Sequence, residues 1–440
     1  MREGLIVALA SLVGHLGNFL FYVVAARNLD AGGFATLASL TALALIVLTP
    51  VSGVQAAMAR DVAHSRARGD AHSRARGVAH SRARDDAIAV TEMIRWLSCR
   101  VLVAQVVLFA LLAAVTPVGS ALLGLTGPTV WLLAAAWLAI SAGVQALLGP
   151  IQGLSGFRTV GWVLAGPLGI LRVLFLVPIV AVLGLSGALL ALIGATLIGS
   201  GTVIWSLRDE LRPLRGLMKA RHPGGLTRLF GLPVACLLAF AAITNVDIVT
   251  AKISLVPETA AGYSAASLLG KVALYATVSL GLVLLPRVSE RIAQGLDYGR
   301  PTLLTLMAVV GVGLLTALVF SLAPDRLIVA VFGSAYEPAG DLIFPITLIM
   351  TGAGILNVHL TLAIARHDRR FGLAFVVLAV FHFSALLVFG QSTTSLITSN
   401  AIVIGAAVVL IELFSTHGIV RILVGSRGPR GQIKRRTTAQ

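Results

Sequence analysis

The stretch Asn245–Glu290 reads NVDIVTAKISLVPETAAGYSAASLLGKVALYATVSLGLVLLPRVSE: two apolar runs that meet at Pro257-Glu258. Asp247, Lys252 and Lys271 lie inside segments otherwise suited to a lipid core. An ionisable side chain at the centre of a membrane-spanning helix costs about 2.5–3.5 kcal/mol on insertion scales, so such groups persist where they pair, face water or meet a substrate. The stretch therefore poses a choice between a structural ion pair and a functional site.

The surrounding composition sets the class. Of 440 residues 57% are hydrophobic and 12% charged, and the mean hydropathy is +0.94. A soluble domain carries about 25% charged residues, so this is a polytopic membrane protein. The net charge of +16 invites a nucleic-acid reading. Lys and Arg fall mainly in short connections between apolar runs, however, where they bias loops to the cytoplasm, and no nucleic-acid partner is expected. Cys99 and Cys236 have no metal-ligand or CxxC spacing, so neither a disulfide nor a structural metal is expected. The apolar run Leu5–Ala26 is longer than a signal-peptide core and reads as a retained first span.

A span needs about 20 mainly apolar residues at 1.5 Å rise each. Twelve stretches qualify: Leu5–Ala26, Gly33–Met58, Trp96–Val118, Pro128–Leu148, Val160–Leu183, Ser186–Leu207, Leu229–Leu255, Gly262–Leu285, Leu303–Ala323, Asp341–Ala365, Phe371–Gly390 and Ser395–Leu423. With both termini cytoplasmic, the inside loops take nearly all the basic residues and the outside ones only Arg27 and Arg326. The expected organisation is an N-terminal lobe over 1–207, an inter-lobe linker over 208–228, a C-terminal lobe over 229–424 and a basic tail over 425–440. Six spans on each side of a Pro- and Gly-containing linker suit a transporter built from two halves.

One inside loop, 59–95, is low in complexity: AHSRARG occupies Ala63–Gly69 and Ala71–Gly77, and AHSRAR returns at Ala79–Arg84. A period of eight drifts around a helix, which disfavours an amphipathic surface helix. The expectation is a solvated tract beside anionic lipid headgroups. Neither a metal cluster at His64, His72 and His80 nor an RNA patch is supported, because ligand partners and aromatic residues are absent from the repeat.

Polar residues within the spans fall into stripes. His15, Asn18 and Tyr22 share one face of the first span, and Ser264, Ser267, Lys271, Tyr275 and Ser279 share one face of the eighth. Lipid cannot satisfy such a stripe, so each must face protein or a water-filled cavity. Measured from Leu255 and Gly262, Asp247 and Lys271 lie roughly 12 and 13 Å deep, which makes an Asp–Lys pair geometrically possible. Arg172 sits near the middle of the fifth span, either in a buried pair or as a binding cation whose planar fork suits phosphate. Glu412 falls in the inner half of the twelfth span, while His359 and His382 read as satisfied core histidines. Neither a P-loop nor GxSxG, HExxH or an acidic cluster occurs, and an enzyme is not expected.

Several stretches resemble the multidrug/oligosaccharidyl-lipid/polysaccharide exporter superfamily, in particular its bacterial polysaccharide-flippase branch. They are ARNLDAGGFATL (Ala26–Leu37), IQGLSGF (Ile151–Phe157), NVDIVTAK (Asn245–Lys252), AAGYSAAS (Ala260–Ser267), LLPRVSE (Leu284–Glu290) and VFGSAYEPA (Val331–Ala339). The resemblance implies twelve helices in two six-helix lobes around a central cavity, moving a lipid-linked oligosaccharide across the bacterial cytoplasmic membrane. Membrane lipids and other polysaccharide-assembly membrane proteins would be its partners. Lys271, Lys252 and Arg172 would meet a polyprenyl diphosphate. His15, Asn18, Tyr22, Arg27, Gln55, Asn245 and Tyr275 complete the expected substrate set, and Asp247 would couple transport to protons or sodium. No other cofactor is expected. Members of the lipid II flippase branch typically have two further C-terminal spans, which tilts the reading away from lipid II.

Three other readings stand beside this one. A cation-coupled multidrug exporter of the same fold would want more acidic and aromatic residues to hold organic cations. A membrane glycosyltransferase or polymerase would want a long external loop with catalytic residues. A non-transporting scaffold would tolerate loss of Lys271 and depend on the arginine-rich loop.

Overall fold

The computed structural model describes residues 2–74, 79–212, 231–294, 299–366 and 368–414. The described residues are helical throughout, with no strand among them. By contacts the chain divides into two compact units, Met1–Leu238 and Ala239–Gln440. The linker expected over 208–228 falls mostly outside the described residues, as does the tail.

In the first unit α1 (Arg2–Asn28) packs on α6 (Phe157–Ala165) and α7 (Leu171–Ser206), which a π-helical turn at Gly166–Ile170 joins. α2 (Ala31–Arg74) packs on α3 (Ala79–Ala114) and α5 (Pro128–Gly153), with short α4 (Thr116–Leu122) between the last two. Among the described residues ten helices are long and apolar enough to cross a membrane. One of these, Phe157–Ser206, holds the fifth and sixth expected spans together. It breaks at Gly184, whose φ of 53° and ψ of −131° suit only a residue without Cβ. The eighth expected span lies within α10 (Pro257–Ala293), so the architecture is compatible with twelve crossings. Apolar side chains such as Leu102, Val106, Leu174, Val182, Leu315 and Val377 stand exposed, as a lipid-facing surface requires.

The arginine-rich loop departs from expectation. Helix α2 runs through the first copy of the repeat to Arg74, and α3 begins at Ala79. The drift of an eight-residue period bears on whether one face accumulates, not on helix formation, and Ala and Arg are both strong helix formers. The base of this helical hairpin is packed: Met58 and Val62 meet Ile94, Leu97, Leu148, Ile151 and Val203 in one apolar cluster. Arg66 donates to the Leu154 carbonyl, and Arg95 donates to the carbonyls of Glu210 (2.8 Å) and Arg212 beyond short α8 (Arg208–Leu211).

In the second unit α9 (Leu232–Ser254), begun in the first, leads into α10. There α10 packs on α13 (Ile343–Ala365), which also receives α11 (Gly299–Ser321) and α15 (Thr393–Phe414). α12 (Pro324–Phe332) and a 3-10 stretch, Ser334–Leu342, precede α13, so the expected tenth span begins as a tighter helix. α14 (Arg369–Phe389) completes the unit, with Asp368 as an N-cap accepting from the amides of Arg370 and Phe371.

The contact of α1 with α6 and the π-helical turn depends on glycine. A Cβ at Gly17 would stand 2.6 Å from the carbonyl carbon of Gly169, and one at Gly14 2.6 Å from the Leu164 oxygen. Gly17→Val is expected to lower stability by about 1–3 kcal/mol through overpacking. Gly201→Ala, with nothing within 4 Å of its Cβ, is expected to be neutral or stabilising by about 0.5–1 kcal/mol. Thermal unfolding of the detergent-solubilised variants measures both, and equal midpoints would refute the close contact.

Candidate functional site

Helix α9 supplies Asn245 and Asp247, and α10 supplies Tyr263, Ser267 and Lys271 at successive spacings of four, so the last three share one face. All five are buried, with Asp247 and Lys271 only 1% and 2% exposed. The hydroxyls of Tyr263 and Ser267 donate to Asp247 Oδ2 at 3.0 and 3.4 Å. Lys271 Nζ donates to Asn245 Oδ1 at 2.9 Å. The Asn245 amide nitrogen is spent on the Ala241 carbonyl and the Thr244 hydroxyl, which turns its oxygen toward the ammonium.

The direct Asp247–Lys271 pair is therefore not formed, and helix register explains why. Helix α10 begins at Pro257, five residues before the expected edge at Gly262. Lys271 thus lies fourteen residues into α10, while Asp247 lies seven residues before the end of α9 at Ser254. The offset of seven residues is roughly 10 Å along the axis. Tyr263 and Ser267 are the α10 residues level with Asp247, and the long Lys271 side chain reaches the deeper Asn245.

Two more buried polar groups lie in this part of the unit. His382 of α14 is 0% exposed and Asn400 of α15 is 2% exposed; the histidine neighbours Asn400 and lies in the field of Asp247. Asn400 Nδ2 donates to the Leu396 carbonyl at 2.9 Å. Asp247 Oδ1, Asn400 Oδ1 and both His382 ring nitrogens have no hydrogen-bond partner among the described residues. A carboxylate oxygen, an amide oxygen and an imidazole nitrogen are three acceptors, and together they can receive a proton or a small cation.

The first unit gathers a different set. Arg172 follows the π-helical turn at once, and α1 lies against that turn through Gly14 and Gly17. This close approach lets Asn18 Oδ1 accept from Arg172 Nη1 at 3.1 Å. The Tyr22 hydroxyl faces Asn18 and Thr41 and lies in the field of Arg172. Arg172 Nε is buried without a partner.

Of the expected residues, the structure thus joins Asn245 to Lys271 and Asn18 to Arg172 beside Tyr22. His15 is exposed one turn before Asn18, and Arg27 is exposed at the end of α1. Gln55 and Lys252 are half-buried, and Tyr275 is 41% exposed. Sequence reasoning gave no site role to Tyr263, Thr41, His382 or Asn400. Tyr263 had a legible signal, since it precedes Ser267 by one more four-residue step. His359, read as a satisfied core histidine, faces Glu412 at 3.0 Å across α13 and α15.

No protein-family model matches the chain and no curated protein matches it. Solved structures do. A multidrug resistance MATE family transporter of the MOP superfamily, in an inward-facing conformation, aligns with a TM-score of 0.67 at 14% identity over 94% of each chain. MATE in complex with MaL6 aligns with a TM-score of 0.62 at 14% identity over 97% of each chain. A MOP superfamily transporter from Pyrococcus furiosus, described as having a binding pocket of reverse polarity, aligns with a TM-score of 0.51 at 13% identity over 97% of this chain and 95% of its own. The chain has the MATE transporter fold and is a multi-pass membrane protein.

Removing one partner from a buried charge leaves the desolvation cost uncompensated. Asn245→Ala is expected to destabilise the protein by about 1–3 kcal/mol. Asn245→Asp, which gives Lys271 a carboxylate at the same place, is expected to unfold at or above the wild-type temperature. A stable Asn245→Ala variant would refute the Lys271–Asn245 assignment.

Proposed function

We propose that this chain exports an anionic, lipid-linked oligosaccharide across the bacterial cytoplasmic membrane by alternating access, with ion coupling at Asp247. The reading places both termini in the cytoplasm. It is carried by the state of Lys271: an ammonium 2% exposed within the expected eighth span, held by an amide oxygen and not by a carboxylate. An amide compensates the ammonium only in part, which leaves attraction for an anionic cargo. Lys252 and Arg172 extend the cationic set, while Asn18, Tyr22, Gln55, Asn245 and Tyr275 offer hydrogen bonds to sugar hydroxyls, with His15 and Arg27 flanking them. Asp247 Oδ1, with His382 and Asn400 beside it, would take the coupling proton or sodium ion. Other polysaccharide-assembly membrane proteins would supply and accept the cargo.

A second reading, a cation-coupled multidrug exporter, is favoured by the fold shared with a multidrug resistance MATE family transporter. The two readings part on the sign of the cargo. Proteoliposomes containing wild type are expected to translocate a fluorescent polyprenyl-diphosphate oligosaccharide and to leave organic cations such as ethidium untouched. Asp247→Asn and Lys271→Ala are each expected to slow translocation at least tenfold, and imposing a proton or a sodium gradient separately identifies the coupling ion. Cation export without oligosaccharide translocation would establish the second reading, and undiminished rates in both variants would remove the site assignment.

A further inference from the structure

We infer that Glu412 and His359 form a proton-binding site in the second unit, separate from Asp247, in which the carboxyl takes the proton and the ring positions it. The sequence isolates the two residues. Helix α13 carries His359 and no other titratable side chain, and α15 carries Glu412 and no other. The single titratable group of each helix meets that of its neighbour, with His359 Nε2 3.0 Å from Glu412 Oε1.

Helix packing sets this meeting. A Cβ on Gly352 would stand 3.0 Å from the Ile404 side chain, so α13 and α15 touch there. His359 follows Gly352 by seven residues and Glu412 follows Ile404 by eight, about two turns along each helix. The pair also lies well away from Asp247. Gly270, three residues past Ser267, faces Ile346, and His359 is thirteen residues, roughly 20 Å, beyond Ile346 along α13.

Burial selects the protonation states. The His359 side chain is 1% exposed and that of Glu412 17%. His359 Nδ1 is buried with no hydrogen-bond partner among the described residues. An imidazolium has two N–H donors, and here one of them would be buried unpaired. A neutral ring with its proton on Nε2 donates to the Glu412 carboxylate and leaves only an acceptor unmatched. That form places a negative charge in a low-dielectric interior, which is costly. A proton added to the carboxylate cancels the charge, keeps the Nε2–H bond and asks nothing of Nδ1. The partial exposure of Glu412 gives the proton a route to water. A metal ion is a poor alternative, because no group of three ligating side chains occurs among the described residues.

The charged groups on the elements packed against α13 and α15 lie to either side of the pair. Toward the Ile343 end are Glu258 and Lys271 of α10, Glu337 and Asp341 of the 3-10 stretch and His382 of α14. Toward the Ala365 end the sequence places Arg287, Glu290 and Arg291 on α10, Arg300 on α11, and three arginines with His367 and Asp368 over 366–370. Basic residues predominate at that end, so positive charge accompanies the proton-free carboxylate.

Proton binding here needs no assumption about cargo, and failure of the export reading leaves it standing. Full-length protein in nanodiscs is followed by infrared difference spectroscopy, with protons counted, as pH falls from about 8 to about 4. Wild type is expected to gain a protonated-carboxyl band that Glu412→Gln lacks, and Glu412→Gln to take up about one proton fewer. His359→Leu, or His359→Gln should the first not fold, is expected to shift this band, because the ring touches the carboxyl. Asp247→Asn is expected to leave it in place. If Glu412→Gln does not fold, wild type labelled with 13C-carboxyl glutamate shows whether the band is a glutamate's, and the His359 variants show which one. Absence of such a band, a band unmoved by substitution of His359, or its loss in folded Asp247→Asn overturns the inference.

Discussion

Everything polar in this chain is governed by one constraint: a hydrogen-bonding or charged group within the membrane-spanning region has no water to fall back on and must be satisfied by its own unit or by a ligand. Most groups obey it locally. The hydroxyls of Thr41, Thr196, Thr250, Ser264, Thr347 and Thr351 each return to a carbonyl one turn earlier in their own helix. Such bonds cost a helix little and allow buried hydroxyls without cross-helix partners. Among the described groups that do not close locally are Asp247 Oδ1, Asn400 Oδ1 and the His382 nitrogens in the second unit and Arg172 Nε in the first, beside single atoms of Ser120, Trp137, Ser141 and His359.

The two gatherings are electrically unlike. Around Asp247 the unsatisfied atoms are acceptors except for one imidazole N–H, and Lys271 is held away on Asn245 one helical level deeper. Around Arg172 the unsatisfied atom is a donor, and α5, α6 and α7 carry no aspartate or glutamate. A protein needing only stability would let an opposite charge close each site, or replace both by apolar side chains at little cost. Keeping a carboxylate open in one unit and a guanidinium open in the other is the pattern expected when a small cation and an anionic cargo bind separate places.

The helical architecture was legible because hydropathy alone marks spans, and the described residues of the expected spans lie almost entirely on helices. What was not legible is instructive in physical terms. The end of α10 at Pro257 was hidden because Pro257-Glu258 reads as a break, whereas proline is well placed in the first turn of a helix and Glu258 suits its positive end. That five-residue difference decided the partner of Lys271. The extension of α2 to Arg74 was hidden for another reason, since patterning reports which face is buried and not whether a solvated Ala- and Arg-rich segment is helical. The π-helical turn at Gly166–Ile170 has no signature beyond its glycines and Pro167, yet it sets the position of Arg172.

Asn18 and Asn245 have the same chemical place in their units, as the neutral oxygen given to a cation, partly exposed at Arg172 and buried at Lys271. A carboxylate at either position would be the stronger partner, because a charge-assisted bond between two ions is the stronger kind. It would also close the cation to any ligand. An amide oxygen satisfies part of the ammonium or guanidinium, enough to keep the folded unit intact, while leaving net positive charge in a low-dielectric setting where an incoming anion is attracted more than it would be in water. The choice of asparagine over aspartate at these two positions therefore trades stability for available charge, and the same trade is made in both units.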